Sequence, residues 1–406
     1  MLIFKIALRN LIRQKRRTFF TALSMIVGFV LASFFIAWAD GSYNYIIDNF
    51  TRNRLGHIQI HKQGYLDKPT LYKTINKYDN IEGKLKNTEN ITNWTTRIFT
   101  GGLVSVDKES SGAQITGIDP INEKNTTNIH KKIIKGRYFK RNNRSKEVLL
   151  GKGLAQILEA EIDDKLVIVS QAADGSIAND MYTIRGILDL GDDMSNRSSV
   201  YMKKEQAQDL FVLNDRIHEI AINVDRLKDV ESVSNKLKKK MPDKTLSVET
   251  WKEFAKSFYR AMKADMEGMW VSLLVVIVVV AIGVLNTVLM SVLERRREYG
   301  VLKALGTKPV QIVKMVVYET SVLAVLSIFI GSVIALVVNY ITSKHGIALP
   351  NPIEWGGMRF EYMKSEINLR SFVIPAITVF LSGVTVSLFP ALKAAKTKAA
   401  EVMRMF

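Results

Sequence analysis

The residues best suited to chemistry are few, and most of them are charged. Glu294-Arg295-Arg296-Arg297-Glu298 sets three guanidinium groups between two carboxylates. Arginine is always charged and offers a planar fork to carboxylate or phosphate, so Arg295, Arg296 and Arg297 can pair with an acidic protein surface or with lipid headgroups. His57-x-x-x-His61 puts two imidazoles on one face of a strand or helix. It lacks the Glu of the His-Glu-x-x-His zinc motif and reads as a solvated strand face. Asp163-Asp164 and Asp192-Asp193 lack the spaced oxygen ligands of a calcium loop and read as turn residues, so no metal site is expected. The chain has no cysteine, which excludes disulfides, thiolate nucleophiles and Cys-based zinc sites. It also has no Gly-x-x-x-x-Gly-Lys-Ser/Thr loop, so no helix N-terminus is built to cradle ATP phosphates, and no cofactor is expected on this chain.

These charges must be positioned by helices that cross a bilayer. Met269 to Leu293 is a run of 25 residues without charge, against the roughly 20 that a bilayer core requires of a helix. Thr18 to Ala39 and Ser371 to Leu392 each carry 22 uncharged residues, and Met315 to Ser343 carries only Glu319. Intramembrane acids are expensive and functional by default. Glu319, one turn from Lys314, is read as a pairing residue at the interface or between helices. Ala37-Trp38-Ala39 resembles a cleavage site, but the apolar run before it exceeds a signal h-region and three further spans follow, so the first span is expected to be a retained anchor.

Basic residues set the topology. Lys5, Arg9, Arg13, Lys15, Arg16 and Arg17 precede the first span; with 294–316 and the tail from Lys393 they account for thirteen of the formal +18. Short Lys/Arg-rich loops stay in the cytoplasm, which puts both termini and the middle loop there and the segment between the first two spans outside. No nucleic-acid partner is expected. The predicted order is a cytoplasmic basic amphipathic segment (1–17), a first span (18–39), an external α+β domain with helical stalks (40–268), and a second span (269–293). A cytoplasmic segment (294–314), a third span (315–343), a short external loop (344–370), a fourth span (371–392) and a cytoplasmic tail (393–406) complete it. The fold class is thus a membrane α-helical chain, one span plus three, with a large α+β domain inserted between helices 1 and 2.

Within the external segment, Ile58 and Ile60 alternate with polar neighbours as in a half-buried strand, and 148–150, 166–169, 182–188 and 220–224 also read as strands. Gly153 to Glu161, Lys204 to Leu213 and Val230 to Lys240 read as helices. Trp251, Phe254, Ala255, Phe258, Met262 and Met266 recur at helical spacing and predict one amphipathic helix running into the second span. Tyr43, Ile46, Ile47 and Phe50 continue the first span outward in the same way.

The stretch Glu294-Arg295-Arg296-Arg297-Glu298-Tyr299-Gly300-Val301-Leu302-Lys303-Ala304-Leu305-Gly306 resembles the coupling segment of FtsX-like ABC permeases, the group that includes MacB and LolC/LolE. Further matches follow in order: Ala7-Leu8-Arg9-Asn10-Leu11, Lys15-Arg16-Arg17-Thr18, Glu147 to Ala155, Ile184-x-Gly186-Ile187, Glu319, and Pro390-Ala391-x-x-Ala394-Ala395. Tyr299 stands where the family usually has Ile, Asp163 where Gly is common, and Ala399 where Pro is frequent. The resemblance implies a non-catalytic permease subunit working by mechanotransmission, with ATP and Mg bound by a separate ABC ATPase subunit. It implies a second permease subunit, identical or paralogous, and coupling through Glu294, Arg295, Arg296, Arg297, Glu298, Gly300, Lys303, Ala304 and Gly306. Gly56 to His61 and Gly64-Tyr65 resemble the LolC/LolE branch, which implies a bacterial inner-membrane location, a lipoprotein substrate and a periplasmic lipoprotein carrier. Met25, Phe29, Phe35, Trp38, Met269 and Trp270 are then candidates to line a cavity for acyl chains, with membrane lipid as the alternative contact. A MacB-like exporter of a periplasmic peptide, toxin or drug and an FtsX-like regulator of a cell-wall hydrolase are the other readings.

Overall fold

The computed structural model of the chain describes residues 15–140, 145–241, 243, 245–355 and 358–396. Lys5, Arg9, Arg13, the Ala7 to Leu11 motif and Ala399 lie outside the described residues, as does the Arg17 side chain.

Helix α1 (Lys15–Phe50) is unbroken for 36 residues, about 54 Å at 1.5 Å per residue. It outruns a hydrocarbon core of roughly 30 Å. A π-type turn over Thr51–Leu55 and Gly56, at φ +79, reverse the chain into the α+β domain. Its strands are β1 (Ile58–Lys62), β2 (Ile91–Val106), β3 (Glu109–Ile118), β4 (Ile133–Gly136), β5 (Glu147–Gly151), β6 (Lys165–Gln171), β7 (Ile177–Leu188), β8 (Ser199–Lys203), β9 (Glu219–Val224) and β10 (Leu246–Thr250). Helices α2 (Asp79–Lys86), α3 (Pro120–Thr126), α4 (Lys152–Ile157), α5 (Asp193–Ser198), α6 (Lys204–Leu210) and α7 (Val230–Lys240) are interspersed. Then come α8 (Trp251–Phe254), α9 (Lys256–Glu294), α10 (Arg296–Ala304), α11 (Pro309–His345), the strands β11 (Ile347–Trp355) and β12 (Met358–Met363), and α12 (Arg370–Lys396). Four of these helices are long and apolar enough to cross a membrane, one before the α+β domain and three after it.

Chain contacts divide the molecule into two compact units. In the first, the four long helices pack through glycines. A Cβ on Gly331 of α11 would lie 2.9 Å from Phe29 Cδ1, one on Gly383 of α12 would lie 3.1 Å from Met25 Cε, and Gly28 faces Val280 as closely. Small residues let helix backbones approach where no hydrophobic driving force separates protein from lipid. Several polar groups inside this bundle are paired: Asn339 Nδ2 donates to Ser33 Oγ at 3.3 Å, Ser365 Oγ to the Asn339 carbonyl at 2.8 Å, and Glu366 N to the Ala37 carbonyl at 2.8 Å. The bundle's outward faces are apolar, with Val271, Leu274, Val275, Val278, Val279 and Ile282 all exposed along α9.

In the second unit, the ten strands of the α+β domain form one sheet in the order β10-β1-β9-β2-β3-β8-β5-β7-β4, with β6 bridging β2 and β7. The β3–β8 and β5–β7 pairs are parallel. Strands β5, β8 and β9 are buried at every residue, because neighbours flank them and both faces are covered. Strand β1 is buried at every residue but Lys62, which corrects one expectation: His57 and His61 are fully buried, not solvated. Strand β1 is flanked on both edges by β9 and β10, and its polar face (Gln59, His61) is covered as fully as its Ile58/Ile60 face.

Two further expectations change. The single amphipathic helix foreseen over 251–268 is interrupted at Ala255 (φ −106, ψ 49), after a capping box in which the Thr250 amide donates to Glu253 Oε2 at 2.7 Å. Trp251, Phe258 and Met262 are buried, whereas Met266 is exposed. The segment 344–370, foreseen as a loop, contains the β11–β12 hairpin. Where α1 and α9 enter the α+β domain, the rings of Phe50 and Phe258 stack with centroids 3.8 Å apart and planes 9° from parallel.

Candidate functional site

Helix α9 ends at Glu294, and Arg295 leaves the helical region (φ −95, ψ 11) before α10 begins. Helix α10 ends at Ala304, followed by Leu305 and Gly306. Gly306 lies at φ +93, where only glycine is unstrained. The next helix opens with Pro309 in its first turn, and the Lys308 amide donates to Gln311 Oε1 at 2.8 Å. The nine residues of α10 are therefore a separate segment with a joint at each end.

The predicted coupling residues divide between its two faces. Arg295 is turned inward: Nη1 donates to Glu319 Oε2 at 2.9 Å and Nε to Glu298 Oε2 at 2.8 Å. Arg295 is 4% exposed and Glu319 6%, so this guanidinium is spent within the chain and is not offered to a partner or to headgroups. Tyr299, 1% exposed, lies beneath the guanidinium with its ring centroid 5.3 Å from Cζ. The departure from the family's Ile at this position thus supplies a cation–π platform. Gly300 is buried beside it, and Lys303 Nζ donates to the Ala395 carbonyl of α12 at 2.6 Å. Glu294, Arg296, Arg297, Glu298, Ala304 and Gly306 are exposed, together with Val301 and Leu305. On a helix, 297, 301 and 304 share one side, so α10 presents a face that is apolar at its centre and basic at its start.

The cavity candidates also divide. Met25 and Phe29 are fully buried in the bundle core against Gly383 and Gly331. They are packing residues filling the space those glycines leave, which corrects their assignment as cavity walls. Phe35, Met269 and Trp270 do meet, around a small cavity of about 40 Å³ that Ile36, Leu273 and Arg370 also line. Arg370 lies 5.1 Å over the Trp270 ring and 3.5 Å from Asp40. Trp38 does not line this cavity; it is half-buried with Nε1 enclosed.

The α+β domain has a buried charge network that sequence reading missed. Arg97 donates to Glu123 through Nη2 at 2.7 Å and Nε at 3.1 Å, and to Glu219 through Nη1 at 2.9 Å. Glu219 Oε2 lies 3.1 Å from His61 Nε2, and the hydroxyls of Thr95 and Thr127 donate to Glu123 at 3.0 and 2.8 Å. Burial alone would lower the pKa of His61, but hydrogen bonds and charge from Glu219 and Glu249 push it up to about 9. Burial alone would raise that of Glu219, and His61 and Arg97 hold it below the usual carboxylate range. Nearby His218 is held neutral: burial pushes it down to about 4, and its Nδ1 accepts from the Phe99 amide at 3.2 Å. An open cleft of about 740 Å³ lies above this network, with Tyr65, Tyr72 and Phe99 on its walls. Its charges pair chiefly with one another, although His61 Nδ1 and Glu249 Oε2, 3.7 Å apart, lack a close hydrogen-bond partner, and His61, Arg97 and Glu219 line the cleft.

The acidic pairs hold turns. Asp163 adopts φ +76 and its carboxylate pairs with Arg185, which explains how a non-glycine stands at that position. Asp164 Oδ2 accepts from the Glu161 amide at 2.7 Å. Asp192 caps α5 through the Ser195 amide at 2.8 Å.

Comparison with known proteins agrees with this architecture. The family model for the MacB-like periplasmic core domain matches residues 18–240, and that for the FtsX-like permease C-terminal region matches 270–399. The chain is 22% identical over 418 residues to the lipoprotein-releasing system transmembrane protein LolC of Neisseria meningitidis, covering 98% of both chains. It is 28% identical over 234 residues to an uncharacterized ABC transporter permease of Methanocaldococcus jannaschii, covering 56% of both. The periplasmic region of MacB from Actinobacillus actinomycetemcomitans aligns over 50% of this chain and 94% of its own at 14% identity, with a TM-score of 0.38. With one long apolar helix before the α+β domain and three after it, the chain belongs to the FtsX-like, MacB-type family of ABC transporter permeases.

Proposed function

We propose that this permease extracts lipoproteins from the bacterial inner membrane and passes them to a periplasmic carrier, driven by a separate ATPase acting on α10. The observation that carries the reading is the end-to-end match to a lipoprotein-releasing permease, which leaves neither the α+β domain nor any of the four helices unmatched. The basic charge before α1, around α10 and after α12 supports an orientation with both termini and α10 in the cytoplasm. An ATPase would meet the outward face of α10 at Arg296, Arg297, Val301 and Ala304, with Glu298 at its edge. Two permease subunits would then present the Phe35, Met269 and Trp270 side of α1 and α9 to the acyl chains. Substrate need not cross the bilayer, so helix movement is the transmitted quantity.

Depletion of the permease followed by fractionation of the envelope tests this reading. Lipoproteins should accumulate in the inner membrane within a few generations. Unchanged sorting rejects it, and co-purification of an outer-membrane exit duct or of a cell-wall hydrolase would favour an exporter or a hydrolase regulator instead.

A further inference from the structure

We propose that Arg295 and Glu319 form a strut that makes α10 move as one body with α11 and α12, so that a push on α10 is delivered to those helices and not absorbed at its joints. The inference rests on the permease reading above and assigns a transmission role to two residues within it. Arg295 and Gly306 interrupt the helical backbone on either side of α10, and a nine-residue helix between two such joints is free to pivot. Three contacts oppose that pivot. At its start, Arg295 Nη1 reaches across to Glu319, ten residues into α11. Near its end, Lys303 Nζ holds the Ala395 carbonyl of α12. Between them Tyr299 packs into the same core as Ile312, Met315, Val316 and Ala391.

Only the first of these is both charged and enclosed. An ion pair removed from water is attracted more strongly than one at a surface, and separating it would leave a charge stranded among apolar side chains. Glu298 takes the other edge of the same guanidinium, so the fork is held from two directions and cannot swing to a neighbour. Arg295 is therefore a positioning residue: the groups that meet the ATPase are its exposed neighbours, and Arg295 determines what those neighbours drag with them. Glu319, an acid within an apolar helix, acquires a purpose as the anchor of that strut.

The absence of native cysteine allows a direct test on the full-length permease in nanodiscs. A spin label on Val301→Cys reports the mobility of α10, and thiol labelling of Lys344→Cys, at the far end of α11, reports movement on addition of ATP and vanadate with the ATPase bound. Glu319→Gln and Arg295→Gln should mobilise the Val301 label and cut the nucleotide-dependent change at Lys344 by about tenfold, as loss of one member of a buried pair implies. Both variants should still co-purify with the ATPase. The reversed pair, Arg295→Glu with Glu319→Arg, should recover at least half of both signals, which a purely space-filling role would not produce. Equal label mobility in parent and Glu319→Gln overturns the strut, as does a reversed pair that assembles with the ATPase yet behaves like the single variants. Mobilisation of the label in a permease whose parent shows no nucleotide response would overturn the ABC coupling reading while leaving the strut in place.

Discussion

Two buried arginines, one in each unit, meet their carboxylates in different company. Arg97 is held by three hydrogen bonds to two glutamates, and those glutamates are held in turn by His61, Thr95 and Thr127. Arg295 has one buried partner and one half-exposed one, with side-chain exposures of 8% for Glu319 and 44% for Glu298. A many-membered buried network ties several elements together at once and resists rearrangement. A two-member pair at a joint fixes one relation and leaves the rest able to move. The α+β domain is tied through a many-membered charge network, and the helical bundle through discrete pairs.

If that contrast is right, Arg97→Met should cost the full-length protein about 3–5 kcal/mol of domain stability, because it strands Glu123 and Glu219 without their cation. Arg295→Met should cost the bundle less, because it strands one buried carboxylate, Glu319, where Arg97→Met strands two, while damaging coupling. Denaturant unfolding in detergent, followed by domain-specific proteolysis, measures both; the reverse order of costs would remove the distinction.

The network should also make the α+β domain sensitive to pH. His61 has a folded pKa raised from 6.5 to about 9, so its contribution is whole below about pH 6.5 and fades as pH climbs towards 9. His218 has a folded pKa depressed to about 4, so its contribution is whole above about 6.5 and fades as pH falls towards 4. Each limb is worth about 3 kcal/mol by proton linkage. Domain stability should peak near neutrality, with His61→Gln flattening the alkaline limb and His218→Gln the acid one. A profile unchanged by either substitution contradicts the assignment.

The bundle's own fastenings can be probed through packing. Gly331→Val should cost about 1–3 kcal/mol by overpacking against Phe29, and Phe29→Ala should relieve part of that cost in the double variant. Strict additivity would mean that Phe29 and Gly331 are not in contact and would reopen the case for Phe29 as a cavity wall.

Much of the architecture was legible in the residues. Charge-free runs located four helices, and the periodicity over Val230–Lys240 matched a helix with those same ends. The β2–β3 hairpin was not legible, because Gly101-Gly102 lies in the middle of a 16-residue strand and reads as a break. The burial of His57 and His61 was hidden for another reason: alternation identifies a strand but not whether a second layer covers its polar face. At the coupling segment the sequence showed which residues are charged. It could not show that Arg295 faces inward and Arg296 outward, since that depends on a backbone break of one residue and on a partner 24 positions away.

The stacked rings of Phe50 and Phe258 have a mechanical corollary. Two shafts keyed together just below a gear cannot turn at different rates without shearing the key. On the mechanical function proposed above, one helix could not slide past the other at that point without sacrificing the face-to-face contact, so a push would be passed on as the shared component of their motion.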